Sequence, residues 1–201
     1  MKTKQIVGCL VVVGLLAFCF SSSVMATLIP YQYPGTANPD VYTFVAAGGD
    51  VTAYFYGTDA AYASKIGLLV QNTTTGREGL WNHTSTVGDT LILADASLGE
   101  VNAGDILVLR LWVQNLNQYW TSAPALNSDG LNHIYATPFA ANNLIPSGIY
   151  VGFEDLPGLG DKDYNDHQFV FTGVQVPDGG TTCFLLGLGL AGLGLIKRKL
   201  A

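Results

Sequence analysis

From residue 41 to residue 174 the chain is written in short apolar runs of strand length, each closed by Gly, Asn, Asp or Pro. Residues 50–57 (DVTAYFYG) alternate Val51, Ala53 and Phe55 against Thr52, Tyr54 and Tyr56, and residues 105–113 (DILVLRLWV) place Leu107, Leu109, Leu111 and Val113 on one side. A period of two is the signature of a strand with one face in a core. Residues 41–46, 66–70, 90–94, 132–136, 148–153 and 168–174 are further runs rich in Val, Ile, Tyr, Phe and Thr. No long capped amphipathic helix interrupts them, and residues 59–64 have room for one helical turn. The pattern predicts an all-β single domain of β-sandwich or jelly-roll type.

That domain is expected at residues 27–175, the size of one unit. It carries four basic residues (Lys65, Arg77, Arg110, Lys162) against fourteen acidic ones, a formal charge of −10. Such a surface repels nucleic acid and attracts cations. It contains no cysteine: Cys9 and Cys19 precede it and Cys183 follows it. Stability must therefore come from a core, or from a core and a metal, rather than from a disulfide framework.

Both ends read as targeting segments. Lys2 and Lys4 precede the apolar stretch 6–20, and Val24-Met25-Ala26 ends in small residues, so residues 1–26 are expected to be a signal peptide. Cys19 offers a lipoprotein reading, but bulky Phe18 just before it fits that site poorly. At the other end, residues 181–196 are uncharged and rich in Leu and Gly, and Lys197-Arg198-Lys199 follow. As a helix this stretch spans about 24 Å, somewhat short of the ~30 Å hydrocarbon core, with the basic cluster held on the cytoplasmic side. A plain tail anchor is one reading. The turn just before it, Val176-Pro177-Asp178-Gly179-Gly180, gives the other, because Pro and Gly make an exposed, protease-accessible site.

Motif, apolar span and basic end in that order resemble the PEP-CTERM class of bacterial sorting tails, in its VPDSG variant. Val176, Pro177, Asp178 and Gly180 match the variant, and Gly179 stands where it has Ser. The resemblance implies a tail at 176–201, a transient inner-membrane anchor through residues 181–196, and processing by an exosortase. The body would then be delivered to the cell surface or the extracellular space.

The chemistry of the body concentrates in residues 152–166, GFEDLPGLGDKDYND. Asp161, Asp163 and Asn165 have the D-x-D-x-N spacing that turns alternate side chains toward one cation. Glu154, Asp155 and Asp166 are available to complete an oxygen shell, and Gly158 and Gly160 let the backbone approach. The loop is not an EF-hand, since Asp166 occupies its sixth position and Thr172 its twelfth. Asp, Asn and Gly also satisfy turns through their own backbone without an ion, so a self-bonded turn is the competing reading. Phe153-Glu154-Asp155-Leu156, Gly160-Asp161 and Asp163-Tyr164-Asn165-Asp166 resemble the hallmark of the bacterial DUF4114 family, and Asn132-His133-Ile134-Tyr135 is similar to its approach to that motif. The resemblance implies a β-rich extracellular module, with calcium as its ligand and no assigned activity.

A secreted hydrolase is the alternative from another class. Paired carboxylates cleave polysaccharides, and His83, His133 and His167 are candidate bases. No G-x-S-x-G or H-E-x-x-H signature is present, and the acids crowd one loop instead of flanking a groove. The aromatics Tyr54, Tyr56, Trp81, Trp112, Tyr119 and Trp120 include candidates for sugar stacking, with Tyr119-Trp120 best placed in a polar segment. The expected protein is therefore a non-catalytic exported β-domain. Structural Ca²⁺ at Glu154, Asp155, Asp161, Asp163, Asn165 and Asp166 is expected, with an extracellular polysaccharide as a possible partner.

Overall fold

The computed structural model describes residues 29–177. These form eleven strands: β1 (Phe44–Ala46), β2 (Val51–Gly57), β3 (Ser64–Val70), β4 (Thr73–Gly79), β5 (Thr90–Ala94), β6 (Ile106–Val113), β7 (Gln118–Thr121), β8 (Ile134–Phe139), β9 (Gly148–Phe153), β10 (His167–Thr172) and β11 (Val174–Gln175). Only short 3₁₀ turns accompany them among the described residues, so the all-β expectation holds. Every pairing is antiparallel. One open sheet runs β11-β1-β6-β3-β4, with β7 also on β6; the other runs β5-β2-β10-β9-β8.

The two sheets share one core. Phe44, Ile66, Leu68, Leu109 and Leu111 from the first meet Ala53, Phe55, Val151, Phe169 and Phe171 from the second. Each such large side chain contributes roughly 1.5–3 kcal/mol through burial. The second sheet is also covered on its other face, where Tyr56, Phe139, Ile145, Tyr150 and Val170 form a smaller cluster. This is why Tyr56, out of phase with Phe55, is buried as well.

Several expected boundaries shift for local reasons. Residues 59–64 do not form a helical turn. Ala60 N–H is taken by Thr58 Oγ1, Ala63 N–H by Asn115 Oδ1 and Ser64 N–H by Asn82 Oδ1, which leaves the backbone extended into β3. The strand expected at 132–136 runs instead from Ile134 to Phe139, through Pro138. Its position at the sheet edge tolerates the missing N–H. The segment around Tyr119-Trp120 is strand β7, and Trp120 is fully buried, its indole N–H donating to the Asp155 carbonyl at 2.8 Å. Trp120 is therefore core, not a sugar platform.

The expected leader 1–26 lies outside the described residues. So do Asp178, Gly179, Gly180 and the apolar stretch 181–196 of the tail. Among the described residues no helix is long and apolar enough to cross a membrane.

Candidate metal centre

β9 and β10 are neighbours, with His167 opposite Phe153, so residues 154–166 must leave one strand and return to the next. The loop does this with tight local geometry. Pro157–Leu159 make a 3₁₀ turn, and Leu159, Lys162 and Tyr164 all take positive φ. A left-handed backbone costs about 1–2 kcal/mol at a residue with a Cβ, so tertiary contacts must hold these three. Leu159 and Tyr164 are each buried to 1 % exposure, which supplies that hold. Gly152 is required beneath the loop: a Cβ there would stand 2.0 Å from the Tyr164 carbonyl oxygen.

Folding the loop back carries Asp161 and Asp163 onto Glu154. One carboxylate oxygen from each of the three lies within 4.8 Å of the others. Glu154 is fully buried, Asp163 half-buried and Asp161 exposed, so the cluster opens outward at one side. A cavity of about 580 Å³ adjoins it, lined by Tyr62, Asp155, Leu156, Gly160, Asp161 and Asp166. Glu154 Oε1 accepts the Tyr164 N–H at 2.6 Å, whereas Oε2 is buried with no hydrogen-bond partner. Gly160 is what lets the chain pass this oxygen, since a Cβ at Gly160 would come within 3.1 Å of it.

The remaining expected ligands are occupied elsewhere. Asn165 donates Nδ2 to Asp163 Oδ2 at 2.5 Å and its N–H to Asp163 Oδ1 at 3.2 Å, closing an Asx turn. Asp166 Oδ2 accepts the Asp155 N–H at 2.9 Å. Asp155 Oδ2 lies 3.2 Å from His167 Nε2, and His167 Nδ1 is buried without a partner. The six-residue set expected from the sequence is thus divided. Glu154, Asp161 and Asp163 converge, while Asp155, Asn165 and Asp166 brace the loop around them.

Electrostatics follow this division. Burial, with Asp166, Asp161 and Asp163 nearby, pushes the Glu154 carboxyl up to about 8, opposed by the Tyr164 N–H. Burial also raises Asp163 and Asp166, with neighbouring carboxylates adding to both. Burial lowers His167 more strongly than Asp155 raises it, so this ring is held neutral. Among the described residues no ion pair places a cation on Glu154, Asp161 or Asp163, and Lys162 makes none with them.

His133 supports the loop from β8, a role the sequence left unspecified. Its Nδ1 lies 3.0 Å from the Glu154 carbonyl, its Nε2 lies 3.0 Å from Asp129 Oδ2, and its ring stacks on Trp120 at 3.9 Å. Asp129 Oδ2 also accepts the Gly158 N–H at 3.0 Å. His133 and Trp120 thereby fix the backbone of Glu154 and Asp155 from behind. His83 Nε2 lies 3.3 Å from the Ala60 carbonyl, and its ring is near enough to His167 to oppose protonation there.

Fold and loop define an all-β module with a carboxylate-lined turn between its last two long strands. The chain carries a match to the domain of unknown function DUF4114 at residues 83–173, which includes the whole of that turn, and to the VPDSG-CTERM motif at residues 175–200. The motif marks an exported protein with a sorting tail. No curated protein and no solved structure gives a significant match.

Proposed function

We propose that this protein is a non-catalytic surface or extracellular-matrix component whose β-sandwich body, residues 27–175, is locked by one structural Ca²⁺ at Glu154, Asp161 and Asp163. The observation that carries this reading is the unpartnered Oε2 of the fully buried Glu154, aimed into a cluster of two further carboxylates. A buried charge without a cation or donor is costly, and like charges this close raise the cost further. The donors are all hard oxygens, one from each carboxylate, without His or thiolate, which favours calcium over zinc or copper. Calcium takes about 6–8 oxygens, so water from the adjoining cavity completes the shell.

The metal's work here is to hold the β9–β10 connection. With the cation bound, the acids that repel one another become its ligands, and binding free energy becomes folding free energy. Convergence of the acids on one point also speaks against a hydrolytic pair, whose carboxyls stand about 5 Å or more apart across a substrate. Delivery follows from the tail: a signal peptide at 1–26 starts export, residues 181–196 hold the chain in the inner membrane, and an exosortase acts at Val176–Gly180.

The test is the melting temperature of the full chain, purified in detergent, with calcium and with chelator. Saturating calcium at about a hundredfold over Kd should stabilise the fold by about 2.7 kcal/mol. For a domain of this size that raises Tm by roughly 5–10 °C. Equal Tm in both conditions would leave the loop as a self-satisfied turn and sink the metal reading.

A further inference from the structure

The segment ahead of β1 and one end of β8 enclose a second cavity, of about 530 Å³, whose Tyr31 packs edge-on against Tyr164 of the acid loop at 4.8 Å. Its wall includes Tyr31, Tyr33, Tyr42, Tyr135 and Asp40. The rings are held at set angles: Tyr31 lies 6.1 Å from Tyr33 and 5.2 Å from Tyr135. Tyr33 is 64 % exposed, and Tyr42 and Tyr135 are half-buried, so each shows an open ring surface. Tyr31 is buried to 5 % exposure, and its hydroxyl has no hydrogen-bond partner. That hydroxyl is closed off from solvent, so a ligand would meet the ring surfaces of Tyr33, Tyr42 and Tyr135 and the exposed side chains of Gln32, Thr36 and Asp40. The Asp40 side chain is exposed and unbonded at the rim.

We propose that this cavity binds a neutral sugar chain. Sugars present apolar C–H faces and a ring of hydroxyls, so they need flat aromatic surfaces together with a few fixed polar groups. Here the tyrosines give the surfaces, and Gln32, Thr36 and the Asp40 carboxylate give the polar groups. No Lys or Arg lines the cavity, and the only ionisable acid on it is Asp40, which rejects polyanions by like charge. An apolar ligand would strip water from the Asp40 carboxylate and return no hydrogen bond. Tyr42 and Ala136 also border an adjoining hollow of about 310 Å³ with Thr137, Pro138 and Ile149. The two together form an elongated track along β8 that suits a polymer better than a single ring. The sugar site uses no metal, so it stands whether or not the acid loop is loaded.

The full chain, purified in detergent and kept in calcium throughout, would be titrated calorimetrically with cellotetraose, xylotetraose, laminaritetraose, mannotetraose and an alginate tetrasaccharide. At least one neutral probe should bind with a Kd below about 1 mM, and alginate should not. Tyr33→Ala and Tyr135→Ala should each weaken that binding about tenfold, and Asp40→Ala about fivefold. Tyr119→Ala, on the other sheet, should leave it unchanged. Tyr33 is exposed, so Tyr33→Ala also serves as the variant whose fold is not at risk, checked by an unaltered Tm. Failure of all four neutral probes, or binding that survives both Tyr33→Ala and Tyr135→Ala, would overturn the proposal.

Discussion

Glu78 on β4 and Glu154 at the end of β9 face the same problem with opposite equipment. Glu78 lies on the first sheet, where strands β3, β6 and β7 bring Lys65 to 3.0 Å, Arg110 to 2.6 Å and the Tyr119 hydroxyl to 2.7 Å from its oxygens. Burial pushes its pKa up, but these three partners outweigh burial and hold the carboxyl below its ordinary value. Glu154 has one N–H donor and three acidic neighbours, and it is pushed far in the other direction. A sheet can place cations beside an acid from the strands on either side. A loop that folds back on itself brings its own acids together with no cation of the chain beside them.

The largest test of this contrast exchanges the two glutamates for Gln. Glu154→Gln should abolish the calcium-dependent rise in Tm, a loss of about 2.7 kcal/mol of ligand stabilisation, while leaving the chelated protein at least as stable. Glu78→Gln should cost about 1–3 kcal/mol with calcium or without it, because Arg110 and Lys65 lose their charge partner. Calorimetric melts in both buffers check the pair, and a calcium-dependent Glu78→Gln would erase the distinction.

A pH series sharpens it. In the metal-free fold Glu154 keeps its proton up to about pH 8, whereas the unfolded chain releases it near 4.5. The fold binds more protons in that window, so metal-free stability is fullest at the acid end and declines as pH climbs toward 8. Calcium displaces the proton, so its stabilising effect should grow over the same interval. Glu154→Gln should flatten both trends; a metal-free protein that gains stability from pH 5 to pH 8 would contradict the assignment. Asp163→Ala, on the partly exposed side of the cluster, should lower Tm only in calcium. The smallest effect is expected from Lys65→Met, a partly exposed pair worth about 0.5 kcal/mol, insensitive to chelator.

Much of the fold is legible in the residues, and the exceptions have reasons. Residues 90–94 and 148–153 were readable to the residue because apolar β-branched and aromatic side chains fill them. β4, with the sequence TTTGREG, has no apolar alternation because it forms an exposed sheet edge, and its partner β3 dictates it. β7 was hidden because Gln118 and Tyr119 look like loop, while Trp120 is drawn into the core by its bond to the Asp155 carbonyl. At the candidate site, D-x-D-x-N spacing located the loop but not which of its acids converge. Asn165 turns onto Asp163, and Glu154 joins the cluster only because Leu159, Lys162 and Tyr164 reverse the chain. Left-handed turns at residues other than glycine leave no mark in a sequence. The Tyr31–Tyr42 cavity was equally silent, since it forms only when the segment before β1 lies against β8.

The register of the first sheet sets the order in which this domain can be completed. Val45 pairs with Gln175, and the Asn38 N–H donates to the hydroxyl of Tyr164, 126 positions later. A chain threaded through a membrane N-terminus first delivers β1 early, yet the closing partner of β1 arrives last. Contacts of such long sequence separation form slowly, so the first sheet closes only once nearly the whole domain is available to fold. The closing strand carries Gln175, the residue at which the sorting motif begins. The strand that closes the first sheet and the start of the sorting motif are therefore one and the same piece of chain.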